Sequence, residues 1–368
     1  MGLEVTAAVA LDRAGPFEIR ALTLDDPRPD EVVVRIAAVG LCHTDLVFKA
    51  GAGGYPVPAV FGHEGAGVVE RVGSAVGKVK VGDRVLMTFR SCGTCDRCLA
   101  GDPAYCRTWL HLNCAGCRMD GSTGLGDGEE RIASNFFGQS SFASHGIAYE
   151  RNVVKVPDDL PLELLAPLGC GVQTGVGAVM RSLDARAGSS IVIAGGGAVG
   201  LCAVMGAAIR KLATIIVVEP HARRRALALE LGATHVIDPA DHPDTAAAVR
   251  EIVPQGVDFA LDTSGVPPVM QALAAALGSK GTLGLVGIAT PGTPVPGDAV
   301  ALVTFGQTVK GIIEGDSDPD EFLPELVALY RSGALPLDRI VRTYPLAEIN
   351  QAVADQHAGL CVKAVLLP

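Results

Sequence analysis

Two textures of apolar and polar positions divide the chain. In the first part, apolar residues come in short runs broken by glycine and charge: EVVVRIAAVG (31–40), GAGVVERVG (65–73) and GDRVLM (82–87). Short β-branched runs bounded by turn residues predict strands, so this part is expected to be β-rich. A stretch rich in glycine and cysteine, 91–128, is inserted into it. From Ser189 onward, strand-like and helix-like periods alternate. SIVIAG precedes a helical run over Ala198–Lys211, TIIVVE precedes His221–Leu231, THVID precedes Thr245–Ile252, and VDFALDTS precedes Val269–Leu277. GTLGLVGI and TVKGIIEG follow. Such alternation predicts a parallel sheet covered by helices. After Glu314, DEFLPELVALYRSG reads as a helix and CVKAVLLP as a closing strand.

One run carries two readings. IVIAGGGAVGLCAVMGAAI (191–209) has no charge and is long enough to be weighed as a membrane helix. A β-branched run, three glycines and a helical period instead predict strand, turn and helix. The 368 residues suggest two domains, and 45 glycines suit tight turns and close backbone approaches. A net charge of −10 argues against nucleic acid or an anionic membrane as the main partner. MGLEVTAAVALDRAGPF shows no basic segment leading into an apolar one, so no secretory leader is expected and the cytoplasm is the expected compartment. The ten cysteines are then expected as thiols, and clustered thiols suggest metal.

The densest cluster is CGTCDRCLAGDPAYC, with Cys92, Cys95, Cys98 and Cys106. Four thiolates close a tetrahedral shell around zinc, leaving no open position and hence a structural role. An iron–sulfur cluster takes the same ligand number. Cys114 and Cys117, in NCAGCRMDG, have no second pair nearby and are read as unliganded thiols, with a redox pair as the rival reading. IVIAGGGAVG places Gly195, Gly197 and Gly200 between a strand and a helix, the context a dinucleotide turn needs. Glu219 ends the next strand, where a carboxylate accepts from a ribose and repels a 2′-phosphate, favouring NAD. Arg223, Arg224 and Arg225 follow it, and one of them facing a phosphate would favour NADP. In VFGHEGAGVVERVG, His63 and Glu64 stand among glycines and apolar residues. They are either an exposed loop pair or part of a metal site. Cys42 in GLCHTD and Cys170 in PLGCGVQTG would complete a site of two thiolates and one imidazole with one open position, a catalytic arrangement.

With these motifs in this order, the chain resembles the zinc-dependent alcohol dehydrogenases of the medium-chain dehydrogenase/reductase family. GHEGAGVVERVGSAV matches that family's zinc signature, and GLCHTD, the four-cysteine lobe, GCGVQTG and the glycine turn accompany it. VFGHEGAG and SNFFGQSSFA look most like the bacterial aryl-alcohol (benzyl alcohol) branch. The resemblance implies an α/β protein: a GroES-like β-rich catalytic domain over 1–171 and 308–368, with its zinc lobe at 91–128, plus a Rossmann doubly wound parallel sheet over 172–307. It implies two zinc ions per chain and NAD. Cys42, His63 and Cys170 would hold the catalytic zinc, with Glu64 behind it and Asp45 hydrogen-bonded to His63. Thr44 would meet the substrate oxygen. His43 and Lys363 would meet the cofactor pyrophosphate, and Thr174 and Val199 the nicotinamide. Gly195, Gly197, Gly200, Glu219 and Arg224 would line the rest of the nucleotide site. Phe136, with Phe137 beside it, would line the substrate pocket.

The implied reaction is reversible oxidation of a primary aromatic or allylic alcohol to its aldehyde. In one respect the chain departs from the pattern: Val47 stands where many relatives end a proton relay with histidine. Rival readings are a general alcohol dehydrogenase, an S-hydroxymethylglutathione (formaldehyde) dehydrogenase, and a noncatalytic zinc- and nucleotide-binding protein. Family habit implies a homodimer or homotetramer, joined through the Rossmann sheets near 286–304.

Overall fold

The computed structural model describes residues 2–128 and 130–368. The chain divides into two compact units. The first contains the chain up to Cys170, with Asp318–Arg331 and Leu337–Pro368; the second contains Gly171–Ser317 and Ser332–Pro336.

In the first unit, Glu31–Gly40 is the organising strand. It pairs antiparallel with Gly65–Val72, with His145–Tyr149 and with the closing strand Lys363–Leu367. Its register against Gly65–Val72 shifts between Ile36 and Ala38. Such an irregularity bends a strand and re-aims the side chains beyond it. Cys42 lies just after the end of Glu31–Gly40, and His63 and Glu64 lie just before the start of Gly65–Val72. Val365 opposite Gly40 brings the C-terminal strand beside the beginning of the site. A five-stranded sheet containing Leu3–Ala10, Phe17–Leu24 and Leu125–Asp127 completes this unit.

The inserted lobe carries the short helices Asp96–Leu99 and Trp109–Cys114. Arg118, at its far end, is fully buried and donates to both carboxylate oxygens of the buried Glu31, at 2.7 and 2.9 Å, and to Asp25 at 2.7 Å. A bidentate guanidinium–carboxylate pair offsets the desolvation of both charges and fixes their relative orientation. It ties the lobe to the organising strand. Nothing in the local sequence pattern marks it.

The second unit is built on a six-stranded parallel sheet. Its order is His235–Ile237, Thr214–Val218, Ser190–Ala194, Val257–Asp262, Leu277–Leu285 and Thr308–Gly311. Val192, Ile216, Val218, Ala260 and Leu283 from the strands pack with Val249 and Leu273 from helices into a buried core. The run at 191–209 is strand, glycine turn and the buried helix Ala198–Ile209. Among the described residues no single helix is long and apolar enough to cross a membrane. The strand Thr308–Gly311, expected to begin the catalytic return, instead pairs parallel with Leu277–Leu285 as the sheet's last member. The chain re-enters the first unit at Asp318.

Candidate active site

Cys42 caps the short helix His43–Lys49 in extended backbone conformation. The first turn of that helix delivers Asp45, which is completely buried. Its Oδ2 accepts from the Cys42 amide at 2.9 Å, while Oδ1 accepts from the Gly62 amide at 3.0 Å and lies 2.8 Å from His63 Nδ1. One carboxylate therefore holds the cap, the turn before His63 and the imidazole itself. Gly62 permits that turn: its φ is +94°, and a Cβ there would meet the Phe142 amide nitrogen at 2.5 Å.

Cys170 follows the turn Ala166–Gly169, where a Cβ on Gly169 would lie 2.2 Å from the Met87 carbonyl oxygen. The result is that one donor atom each from Cys42, His63, Glu64 and Cys170 falls within 4.8 Å of all the others. With Nδ1 committed to Asp45, His63 Nε2 is buried without a hydrogen-bond partner. A buried orphan nitrogen beside two thiols and a carboxylate fits a tetrahedral zinc site and is costly without one. The electrostatics agree. Contact with Cys170, then with His63, lowers the Cys42 thiol well below its usual range despite burial. Burial pushes the Glu64 carboxyl up to about 7, even with Lys363 opposing it. Burial alone would depress the His63 imidazolium, but Asp45 overrides it and the net direction is up.

Lys363, which the resemblance places at the cofactor pyrophosphate, has protein partners in this structure. It is buried, its Nζ 2.5 Å from Glu64 Oε2 and 3.1 Å from the Leu41 carbonyl oxygen. Thr44 Oγ1 lies 3.7 Å from the Cys42 sulfur, and His43 is exposed.

The segment SNFFGQSS closes over His63. Asn135, Phe137 and Ser140 all have positive φ, rare for side chains of this size. That backbone lays the Phe137 ring on the imidazole, 4.5 Å between centroids and near-parallel. Phe136, fully buried, is the hub of a cluster with Phe48, Tyr55 and Phe61 at 5.1–5.3 Å and with His63 at 5.5 Å. Trp109 meets Phe137 edge-on. Gln139 locks the turn by donating to the His63 carbonyl at 2.9 Å and accepting from the Gly65 amide at 3.0 Å. Phe48, Tyr55, Phe61, Trp109 and Gln139 were absent from the expected site; they are scattered along the chain, and only the FF pair drew notice.

In the lobe, Cys92, Cys95, Cys98 and Cys106 also place their sulfurs within 4.8 Å of one another. Burial raises the Cys92 thiol, but the Thr94 and Cys95 amides outweigh it and hold it at about 5. Burial pushes Cys98 up to about 12, so it is the convergence of the four sulfurs that fits a closed metal site. Cys114 and Cys117 belong to neither group, and burial pushes Cys114 up to about 12.

In the second unit, Gly195 has φ of +99° and a Cβ on Gly200 would lie 1.8 Å from the Gly195 carbonyl oxygen, whereas Gly197 has open space before it. Turn, close packing and access are thus divided among the three glycines, as a pyrophosphate cradle requires. Glu219 is buried beside the cradle, accepting from the Gly196 amide at 2.6 Å and the His221 amide at 2.8 Å. Of the following arginines, Arg225 is committed to Asp238 at 2.7 Å, Arg223 is exposed, and Arg224 flanks the glycine turn. Val199 opens the helix after the turn, and the Thr174 hydroxyl donates to Glu314 at 3.4 Å.

A catalytic-type metal cradle on a GroES-like unit, followed by a Rossmann unit, defines a zinc-type dehydrogenase. The comparisons agree. Residues 28–158 match the alcohol dehydrogenase GroES-like domain and 198–331 the zinc-binding dehydrogenase domain. The chain belongs to the zinc-dependent alcohol dehydrogenases of the medium-chain dehydrogenase/reductase family. It is 45% identical to a geraniol dehydrogenase of Castellaniella defragrans, covering 99% of this chain and 98% of that one. Among solved structures, an alcohol dehydrogenase zinc-binding domain protein from Burkholderia ambifaria has 49% identity and a TM-score of 0.97, with both chains covered completely. Benzyl alcohol dehydrogenase from Acinetobacter calcoaceticus has 40% identity and a TM-score of 0.95 over 99% of each chain.

Proposed function

We propose that this alcohol dehydrogenase reversibly oxidises a primary aromatic or allylic alcohol to its aldehyde with NAD, using two zinc ions per chain. The observation that carries the substrate class is the aromatic packing around His63: Phe137 stacked on the imidazole and Phe136 behind it, both buried, make the surroundings of the cradle apolar and rigid. The relatives named for geraniol and benzyl alcohol support the same reading.

Cys42, His63 and Cys170 would hold the catalytic zinc, with Glu64 beside it, and Cys92, Cys95, Cys98 and Cys106 the structural one. Bound zinc supplies Lewis acidity toward the alcohol oxygen, and NAD supplies the hydride acceptor. The chain's own residues do the rest. Asp45 fixes the His63 tautomer, so that Nε2 carries the lone pair. Thr44 receives the alcohol proton at Oγ1 and hands it onward. Val47 offers no acceptor, so the proton leaves through water or His43. Glu219 accepts from the adenosine ribose; Gly195, Gly197 and Gly200 admit the pyrophosphate with Arg224 beside it; Thr174 and Val199 bound the nicotinamide.

The helix Ala299–Phe305 buries none of its residues within the protomer, and Val300 and Val303 are largely exposed. An apolar face of this kind supports a homo-oligomer joined there, and a cytoplasmic location completes the reading.

The test is initial-rate NADH formation with benzyl alcohol, cinnamyl alcohol, geraniol, ethanol and S-hydroxymethylglutathione, with NADP and chelator controls. Highest kcat/KM for the aryl or allylic alcohols with NAD, lost on chelation, is expected. Preference for S-hydroxymethylglutathione, the substrate in the names of relatives at 32–33% identity, would overturn the substrate class. Turnover requiring NDMA, as in the name of a 38% identical relative, would overturn free exchange of NAD.

A further inference from the structure

Glu314 is a buried carboxylate that no step above uses. It lies in the loop that leaves the last parallel strand, Thr308–Gly311, and its backbone is strained. Glu314, Gly315 and Asp316 are three consecutive residues with φ between +51° and +65°. For the two non-glycine residues among them, Glu314 and Asp316, this costs free energy, and surroundings that over-determine the geometry must hold it.

Those surroundings are the helix Gly171–Gly177. Gly315 packs so closely that a Cβ would lie 2.4 Å from the Gln173 carbonyl oxygen. The Ser317 hydroxyl lies 2.7 Å from the Glu314 carbonyl oxygen and 3.1 Å from Gln173 Oε1. Asp316 pairs with Lys310 at 2.7 Å. Through this clamp the Glu314 carboxylate accepts from the Gln173 amide at 3.0 Å and the Thr174 hydroxyl at 3.4 Å. The strained loop thus delivers one negative side chain to one face of one helix.

The location of that face is the decisive point. A Cβ on Gly175 would lie 2.3 Å from the Val199 carbonyl oxygen, so the same helix abuts the first turn after the glycine cradle. In a parallel sheet of this order, ligands lie outside the carboxyl ends of the strands. Glu219, at the end of Thr214–Val218, marks the adenosine half. Glu314 follows the carboxyl end of the outermost strand on the opposite side of Ser190–Ala194. That side receives the other nucleotide of a bound dinucleotide.

We infer that Glu314 selects the redox state of the cofactor, its carboxylate favouring the positively charged oxidised nicotinamide over the neutral reduced ring. This rests on the NAD reading proposed above. The physical basis is Coulombic: a fixed negative charge in a partly water-excluded site stabilises a pyridinium cation and does nothing comparable for dihydropyridine. The strained turn is the path that carries the carboxylate back to Thr174.

The experiment measures dissociation constants of NAD⁺ and NADH separately, by titration calorimetry and NADH fluorescence, for the zinc-loaded wild type, Glu314→Gln and Glu314→Asp. Glu314→Gln keeps shape and hydrogen bonding but removes the charge. Its NAD⁺ affinity is expected to fall on the order of tenfold more than its NADH affinity, the scale of one charge removed at partly buried separation. Glu314→Asp, which keeps the charge, is expected to retain most of the wild-type ratio. Equal weakening of both forms by Glu314→Gln, or no change in the ratio, would overturn the inference and leave Glu314 a structural clamp. If Glu314→Gln does not fold, a wild-type ratio retained in Thr174→Val and lost in Glu314→Asp would overturn it too, since the ratio would then follow side-chain length, not charge. Wild-type protein that binds neither form would bring down the NAD reading itself, a result separate from either of these.

Discussion

Lys363 and Glu64 form a buried ion pair at 2.5 Å, between the closing strand and the residue next to His63. The pair couples the C-terminus of the chain to the metal cradle. Breaking a buried pair from one side strands the other charge, which typically costs about 3–5 kcal/mol. Lys363→Met is therefore expected to destabilise the protein by that order, read as a lower denaturation midpoint in urea. Lys363→Arg, which keeps the charge, is expected to lose less. Full stability in Lys363→Met would mean that Glu64 needs no countercharge.

Asp45 reaches three parts of the cradle at once, and its substitution tests whether orientation of His63 matters to the metal. Partners that orient a metal-bound imidazole typically contribute about 10–100-fold in affinity. Asp45→Asn should release zinc to a competing chelator faster by a factor in that range, while the four-cysteine site keeps its ion. An unchanged release rate would show that packing against Phe137 suffices.

The two cysteine groups of the lobe should behave differently. Cys98→Ser is expected to lower the zinc content from two to one per chain and to reduce the melting temperature. The double variant Cys114→Ala, Cys117→Ala should keep both ions and full activity before and after peroxide treatment. Loss of one ion from the double variant would move the structural site.

Glu219 is both a hydrogen-bond partner of the glycine turn and the proposed ribose acceptor. Hydrogen bonds to charged groups contribute about 1.5–3 kcal/mol, roughly tenfold to a hundredfold in binding. Glu219→Ala should cut kcat/KM with NAD by this factor and raise relative use of NADP, assisted by Arg224. A parallel fall with both cofactors would restrict Glu219 to supporting the turn through Gly196.

How much of this was legible along the chain depends on the range of each contact. The glycine turn and the four-cysteine lobe are local constellations. Spacing alone sets which donors meet, and the structure brings them together as spacing predicts. The strand–helix alternation likewise foretold the parallel sheet, but not where it ends. Thr308–Gly311 resembles any short β run, and only pairing with Leu277–Leu285 decides its membership.

Residue types and motif context already set Cys42, His63 and Cys170 together as a candidate site; their convergence required the fold. The donor chemistry, the order of elements and the nucleotide turn are legible along the chain because they are written in residue types at short range. The tertiary structure alone decided that Lys363 faces Glu64, that Arg118 anchors the lobe on Glu31, that Phe137 lies on His63, and that Glu314 reaches Thr174. Each of these joins segments far apart in the chain, and strand register, β-irregularity and strained turns set where they meet. No local preference encodes those distances; burial does, by making every unpaired charge or orphan nitrogen too costly to leave alone.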